Sequence, residues 1–181
     1  NETAVSTTSS GTSVAQATAA ASSSQNQSKY EANVASVAGK MDNRVIAAYQ
    51  QLGFKIVVDP SVNYSGYFDA RSRSITMKQI DDSVYHELGH FLAFIAGNVD
   101  KTASFQSIFA AEKANVTAFN KAYVTQNASE YFAESVKDYI LNNASLKSTR
   151  PQTYAAVQNA LNQITDAQIA KIQKIYGAFW N

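Results

Sequence analysis

The chain has 181 residues, 45% of them hydrophobic, and a formal net charge of +1. That is enough apolar material for one globular domain with its own core. The near-neutral charge and the lack of any Lys/Arg run argue against nucleic acid as a partner. No apolar run approaches the roughly 18 to 20 residues that cross a bilayer, so no transmembrane segment is expected. The absence of cysteine excludes disulfides, thiolate zinc ligands and a cysteine nucleophile.

Residues 1–28 contain thirteen Ser or Thr and no aromatic side chain, too little apolar surface to offset the entropy of ordering. They are expected to form a disordered linker ahead of a domain spanning 29–181. A spacer of this kind, together with Asn1 in place of an initiator methionine, points to a secreted or cell-surface protein of a Gram-positive bacterium.

In the domain, Val34, Val37, Met41, Val45, Ala48 and Leu52 recur at helical spacing, which predicts one long helix ending at Gly53. "FKIVVD" (54–59) reads as a strand stopped by Pro60, and "SGYFDA" and "SITMK" flank "RSR" as a hairpin. After Asp81 the pattern is helical. Asp81, Asp82 or Ser83 can cap the next helix and Gly97 can end it. Further helices are expected near 101–112, 114–124, 129–142 and 151–163. The last begins at "TDAQ", where Thr165 and Gln168 have capping-box spacing. The whole is an α+β domain, a small antiparallel or mixed sheet beside a mostly helical body.

Both histidines of the chain lie in "VYHELGHFLAF" (84–94). On a helix, residues four apart share a side, so His86 and His90 can reach one ion. Glu87, about 100° round from His86, sits beside that ion, where a base can take a proton from an activated water. Val84, Leu88, Phe91 and Ile95 form the opposite, apolar stripe. Ser83, Ala93 and Gly97 leave room on the histidine side.

A catalytic zinc takes three protein ligands and keeps an open position. "FLAFIA" after His90 excludes a third histidine at metzincin spacing, which leaves a carboxylate from a second helix. "ASEYFAESVKDY" (128–139) supplies Glu130 and Glu134 on one face, with Phe132, Val136 and Tyr139 or Ile140 on the core side. One carboxylate can bind the metal while the other orients a ligating histidine. Spacing alone does not say which is which.

"HELGH" followed by "SEYFAES" resembles the gluzincin metallopeptidases, in the group of the anthrax toxin lethal factor catalytic domain and the secreted Pro-Pro endopeptidases. Tyr123, seven residues before Glu130, and "RPQTYAAVQN" (150–159) extend the resemblance. It implies a zincin-like fold and one Zn2+ ion held by His86, His90 and Glu130. It further implies Glu134 behind a histidine, Glu87 as the base and Tyr123 pointing into the site. The expected activity is endopeptidase cleavage of an extended peptide or protein substrate by a monomer.

"SITMK" is expected to form the upper edge of the cleft, where a substrate strand could pair. Arg71 and Arg73 are expected to be solvated turn residues. Only a short segment separates "FKIVVD" from "SITMK", shorter than in the Pro-Pro endopeptidases, so Pro-Pro specificity is not carried over. The alternative reading is a catalytically inactive secreted zinc-binding or adhesion module. A structural zinc is disfavoured, because such sites close with four protein ligands and only three are found.

Overall fold

The computed structural model describes residues 28–180; nearly all of the proposed linker lies outside the described residues. A four-stranded sheet is built from β1 (Tyr30–Ala32), β2 (Lys55–Val58), β3 (Gly66–Asp69) and β4 (Ser74–Met77). Its order is β1-β2-β4-β3, with β2 and β4 parallel and the other pairs antiparallel. The fold is therefore α+β with a mixed sheet.

The predicted hairpin is β3–β4, but β4 lies inside the sheet and β3 is the edge. The expectation that "SITMK" forms the edge is thus corrected. β2–β4 pairing buries Ile56 against Ile75 and Val58 against Met77, and this apolar match keeps β4 interior. The three-residue strand β1, with mostly exposed side chains, is additional to the expected strands and carries no period-2 apolar signal.

The single long helix predicted for 34–52 is two: α1 (Val34–Val37) and α2 (Asn43–Gln51). Asn33 Oδ1 accepts from the N–H groups of Ala35 and Ser36, and Asp42 Oδ1 accepts from Arg44 N–H. Two caps start two helices, while Val34, Met41, Val45, Ala48 and Leu52 remain buried on one core. Gly53, at φ 77°, follows α2, a left-handed position that suits glycine.

The remaining helices are α3 (Ser83–Ile95), α4 (Ala103–Glu112), α5 (Lys121–Val124), α6 (Ala128–Leu141), α7 (Asn143–Thr149), α8 (Pro151–Asn162) and α9 (Asp166–Trp180). The helix expected over 114–124 reduces to α5, because Val116 is buried in extended conformation (φ -68°, ψ 130°). α7 matches no expected helix; of its seven residues only Leu146 is buried, too little for an amphipathic pattern. Asp81 Oδ1 accepts from Ser83 N–H at 2.9 Å to start α3, and Gly97, at φ 88°, lies just past its end.

Thr165 caps α9 by accepting from Gln168 N–H at 3.1 Å, but Gln168 does not complete a capping box. Its amide donates to the carbonyl of Ile95 at 2.8 Å, tying α9 to the end of α3. Arg73 is likewise not a free turn residue. It adopts φ 51°, donates to the Leu52 carbonyl at 3.2 Å and lies 5.3 Å from the centroid of the Trp180 ring.

α3 is sandwiched between the sheet and α6, and its packing on α6 is the most extensive in the fold. Val84, Leu88, Phe91 and Ile95 are fully buried, as the apolar stripe predicts. Phe91 meets Tyr49 and Phe54 with ring centroids 4.9 Å apart in both pairs. Among the described residues no helix is long and apolar enough to cross a membrane.

Candidate metal centre

α3 carries His86, Glu87 and His90 along its side, and α6 brings Glu130 and Glu134 against them. The approach depends on Gly89. A Cβ there would sit 2.6 Å from the Ala133 carbonyl oxygen and 2.7 Å from Ala133 Cα, well inside contact distance for backbone that cannot swing away. Gly89 therefore lets the two helices touch at the level of the histidines.

Glu130 Oε2 lies 2.9 Å from His86 Nε2 and 3.4 Å from His90 Nε2. One ligand atom from each of His86, His90 and Glu130 falls within 4.8 Å of the others. Around a tetrahedral ion with ligand bonds of 2.0–2.2 Å, neighbouring ligand atoms stand about 3.3 Å apart, so the donor set and its spacing suit zinc. Glu134 Oε2 accepts from His86 Nδ1 at 2.7 Å, which aims the other ring nitrogen at Glu130. The sequence leaves the two glutamates interchangeable; here they face opposite edges of the same imidazole. Phe68 of β3 stacks on the His90 ring, 13° from parallel at 6.5 Å, and so braces the second histidine from the sheet edge.

Burial opposes charge on His86, but hydrogen bonds to Glu130 and Glu134 outweigh it and raise its pKa to about 9. Burial likewise pushes against ionisation of Glu130, and the two histidines overcome it, holding that carboxyl far below the usual range. Glu87 goes the other way. Burial raises its pKa, only partly offset by His86 and His90, the direction that favours a carboxyl accepting a proton.

Glu87 rests against a second glycine that sequence reasoning passed over. A Cβ on Gly66 would lie 2.8 Å from Glu87 Cγ and 3.0 Å from its Oε1, so the edge strand presents bare backbone to this carboxylate. A cleft of about 350 Å³ opens at this point, lined by Tyr64, Gly66, His86, Glu87, Tyr123 and Lys137. Tyr123 is 55% exposed, its ring centroid 6.5 Å from that of His86. Its hydroxyl keeps its proton because burial and the Glu130 and Glu87 carboxylates raise its pKa. A hollow of about 450 Å³ between α4 and α8 is larger, yet no ionisable side chain lines it. The smaller cleft is the one that both His86 and Glu87 line.

Residues 69–160 match the family model for anthrax toxin lethal factor, N- and C-terminal domain. The match spans just over half the chain and includes both histidines and both glutamates of α6. The chain belongs to the anthrax lethal factor family. Within it, the chain is similar to the Pro-Pro endopeptidase of Clostridioides difficile (strain 630), with 41% identity over 78 residues. That alignment covers 41% of this chain and 34% of the relative, so the chain spans about a third of the length of the relative it matches. The part of this family member that carries the match, from the end of β3 into α8, is the part that builds the centre.

Proposed function

We propose that this lethal factor family member is a zinc-dependent endopeptidase. The observation that carries the reading is the convergence of His86, His90 and Glu130 beside a raised-pKa carboxylate in an open cleft. His86, His90 and Glu130 would hold the ion, with Glu134 fixing the His86 ring from behind. Bound there, zinc supplies a Lewis acid that polarises a carbonyl and brings the pKa of a water toward neutrality.

Glu87 takes the proton from the attacking water and returns it to the leaving amine. The protonated Tyr123 hydroxyl donates a hydrogen bond to the carbonyl oxygen as that atom gains charge. The exposed edge of β3 offers main-chain groups to an extended peptide or protein substrate, with Gly66 keeping its backbone open beside Glu87. The domain is taken as 29–181, acting as a monomer, and the Ser/Thr-rich stretch before it supports export to the cell surface or medium.

Incubation with a peptide library is expected to give cleavage that stops when a chelator removes the metal and returns when zinc is restored. Metal uptake without any cleavage would instead favour a binding module. Gly66→Ala should leave zinc content unchanged and lower kcat by roughly 10²-fold, the order expected when a reacting group is displaced by about 1 Å. A kcat equal to wild type would show that Glu87 does not depend on the bare strand.

The raised pKa of His86 predicts how metal binding responds to pH. His86 would have to give up its Nε2 proton to act as a ligand, so at pH 7 metal uptake should release about one proton, and affinity should climb about tenfold per pH unit until pH nears 9. Glu130 is already ionised and releases none. In the metal-free protein the sign reverses. The charged His86 contributes full stability below its unfolded value of 6.5, and this fades as pH rises through about 9. Calorimetry in buffers of different ionisation enthalpy measures the proton count, and a count of zero at pH 7 would contradict the charged state.

A further inference from the structure

We infer that Glu112, at the far end of α4, is a positioning residue for the metal centre, acting through Thr153 and Tyr131 on the rotation of α6. The inference rests on the zinc site proposed above. Glu112 is buried and forms no ion pair among the described residues. Its carboxylate accepts instead from the N–H groups of Gln152 (3.2 Å) and Thr153 (2.7 Å) and from the Thr153 hydroxyl (2.8 Å).

Those two N–H groups are the first free donors of α8, since Pro151 has none and Arg150 offers no side-chain cap. A carboxylate from another helix thus caps α8 and meets the positive end of its dipole. The bonding does not stop there. Thr153 has one hydroxyl proton and gives it to Glu112, so at 2.6 Å the Tyr131 hydroxyl must donate to Thr153 Oγ1. Tyr131 has no exposed surface and follows Glu130 directly on α6. The result is a buried, one-directional chain from Tyr131 through Thr153 to Glu112.

A second brace grips the same helix. The buried Arg150 guanidinium donates to Ser135 Oγ at 3.2 Å and to Asp138 Oδ2 at 2.5 Å, and lies 5.5 Å from the Tyr131 ring centroid. The "RPQTY" segment is therefore a strut against α6, holding it at Tyr131, Ser135 and Asp138. The lever arm explains why this bears on the metal. A carboxylate stands roughly 6 Å from its helix axis, so turning α6 by about 10° moves Glu130 by about 1 Å. Ligand distances tolerate only about 0.2 Å.

The test uses the full chain and variants Glu112→Gln, Thr153→Val, Tyr131→Phe and Thr153→Ser, each checked for folding by circular dichroism. Zn2+ affinity is read by competition with a chromophoric chelator at fixed pH, and centre geometry by the visible absorption of the Co2+ form. Glu112→Gln, which removes the charge and turns an amide N–H2 toward the Gln152 N–H, and Thr153→Val are each expected to weaken Zn2+ binding about 10-fold or more and to change the Co2+ bands. Thr153→Ser, which keeps the hydroxyl, should match wild type.

Folded variants with lowered melting temperature but wild-type Zn2+ affinity and Co2+ spectrum would overturn the inference and leave the strut purely structural. Should Glu112→Gln fail to fold, Thr153→Val and Tyr131→Phe decide by the same comparison. A wild-type chain that takes up no Zn2+ would sink the metal-site reading itself, which separates the two failures.

Discussion

Glu87→Gln is expected to keep the metal and lose turnover. The amide has nearly the shape of the carboxylate, so the close seat against Gly66 Cα survives, and neither histidine contacts change. What disappears is the ability to accept a proton. Positioned acid–base groups contribute about 10²- to 10⁴-fold, and this carboxyl serves twice, once for the water and once for the leaving amine. A fall of about 10³-fold in kcat with unchanged zinc content is therefore predicted. Residual cleavage within tenfold of wild type, measured on the same metal-loaded preparation, would reject Glu87 as the base.

Gly89→Ala is expected to disable the centre from a position that touches neither metal nor substrate. In a helix interior, alanine normally gains about 1 kcal/mol over glycine. Here the added methyl would meet Ala133 backbone at 2.6 Å, and ordinary carbon contacts begin near 3.5 Å. α3 and α6 must part by roughly 1 Å, an overpacking cost of about 1–3 kcal/mol. The displacement also carries Glu130 and Glu134 away from His86 by several times the tolerance of a zinc ligand. Loss of zinc affinity by about 100-fold or more, with a lowered Tm, is the expected result. Gly177→Ala is the control, because its methyl would meet only the end of the flexible Gln173 side chain. Equal zinc affinity in the two variants would contradict the role given to Gly89.

What the sequence revealed follows from where the signal is stored. His86, Glu87 and His90 share one helical turn, so their side-by-side placement could be read from spacing. Glu130 and Glu134 could be placed on one face, but their division of labour depends on which edge of the His86 ring each meets, a relation between two helices. The glycines carry a signal of their own. A glycine inside a strongly patterned helix, as at position 89, costs stability unless something must come close, and Gly66 at the head of a strand says the same for a sheet.

The misread elements were those decided by partners distant in sequence. β4 is interior because it pairs in parallel with β2, and no local pattern announces that. The break between α1 and α2 was written in Asp42, yet both helices pack on one core, so the apolar period ran unbroken across it. Arg73 reads as a solvated turn residue until Trp180 arrives from the opposite end of the chain. Glu112 likewise looks like a helix-end glutamate until α8 is set against it.

X-ray absorption at the zinc edge, on protein loaded with one equivalent of Zn2+, reads the proposed ligand set itself. The expected spectrum is that of a four-ligand shell with two imidazoles and light oxygen donors at about 2.0–2.1 Å, losing one oxygen neighbour or its zinc altogether in Glu130→Ala. A shell lacking imidazole, or one unaltered by removal of Glu130, would contradict it.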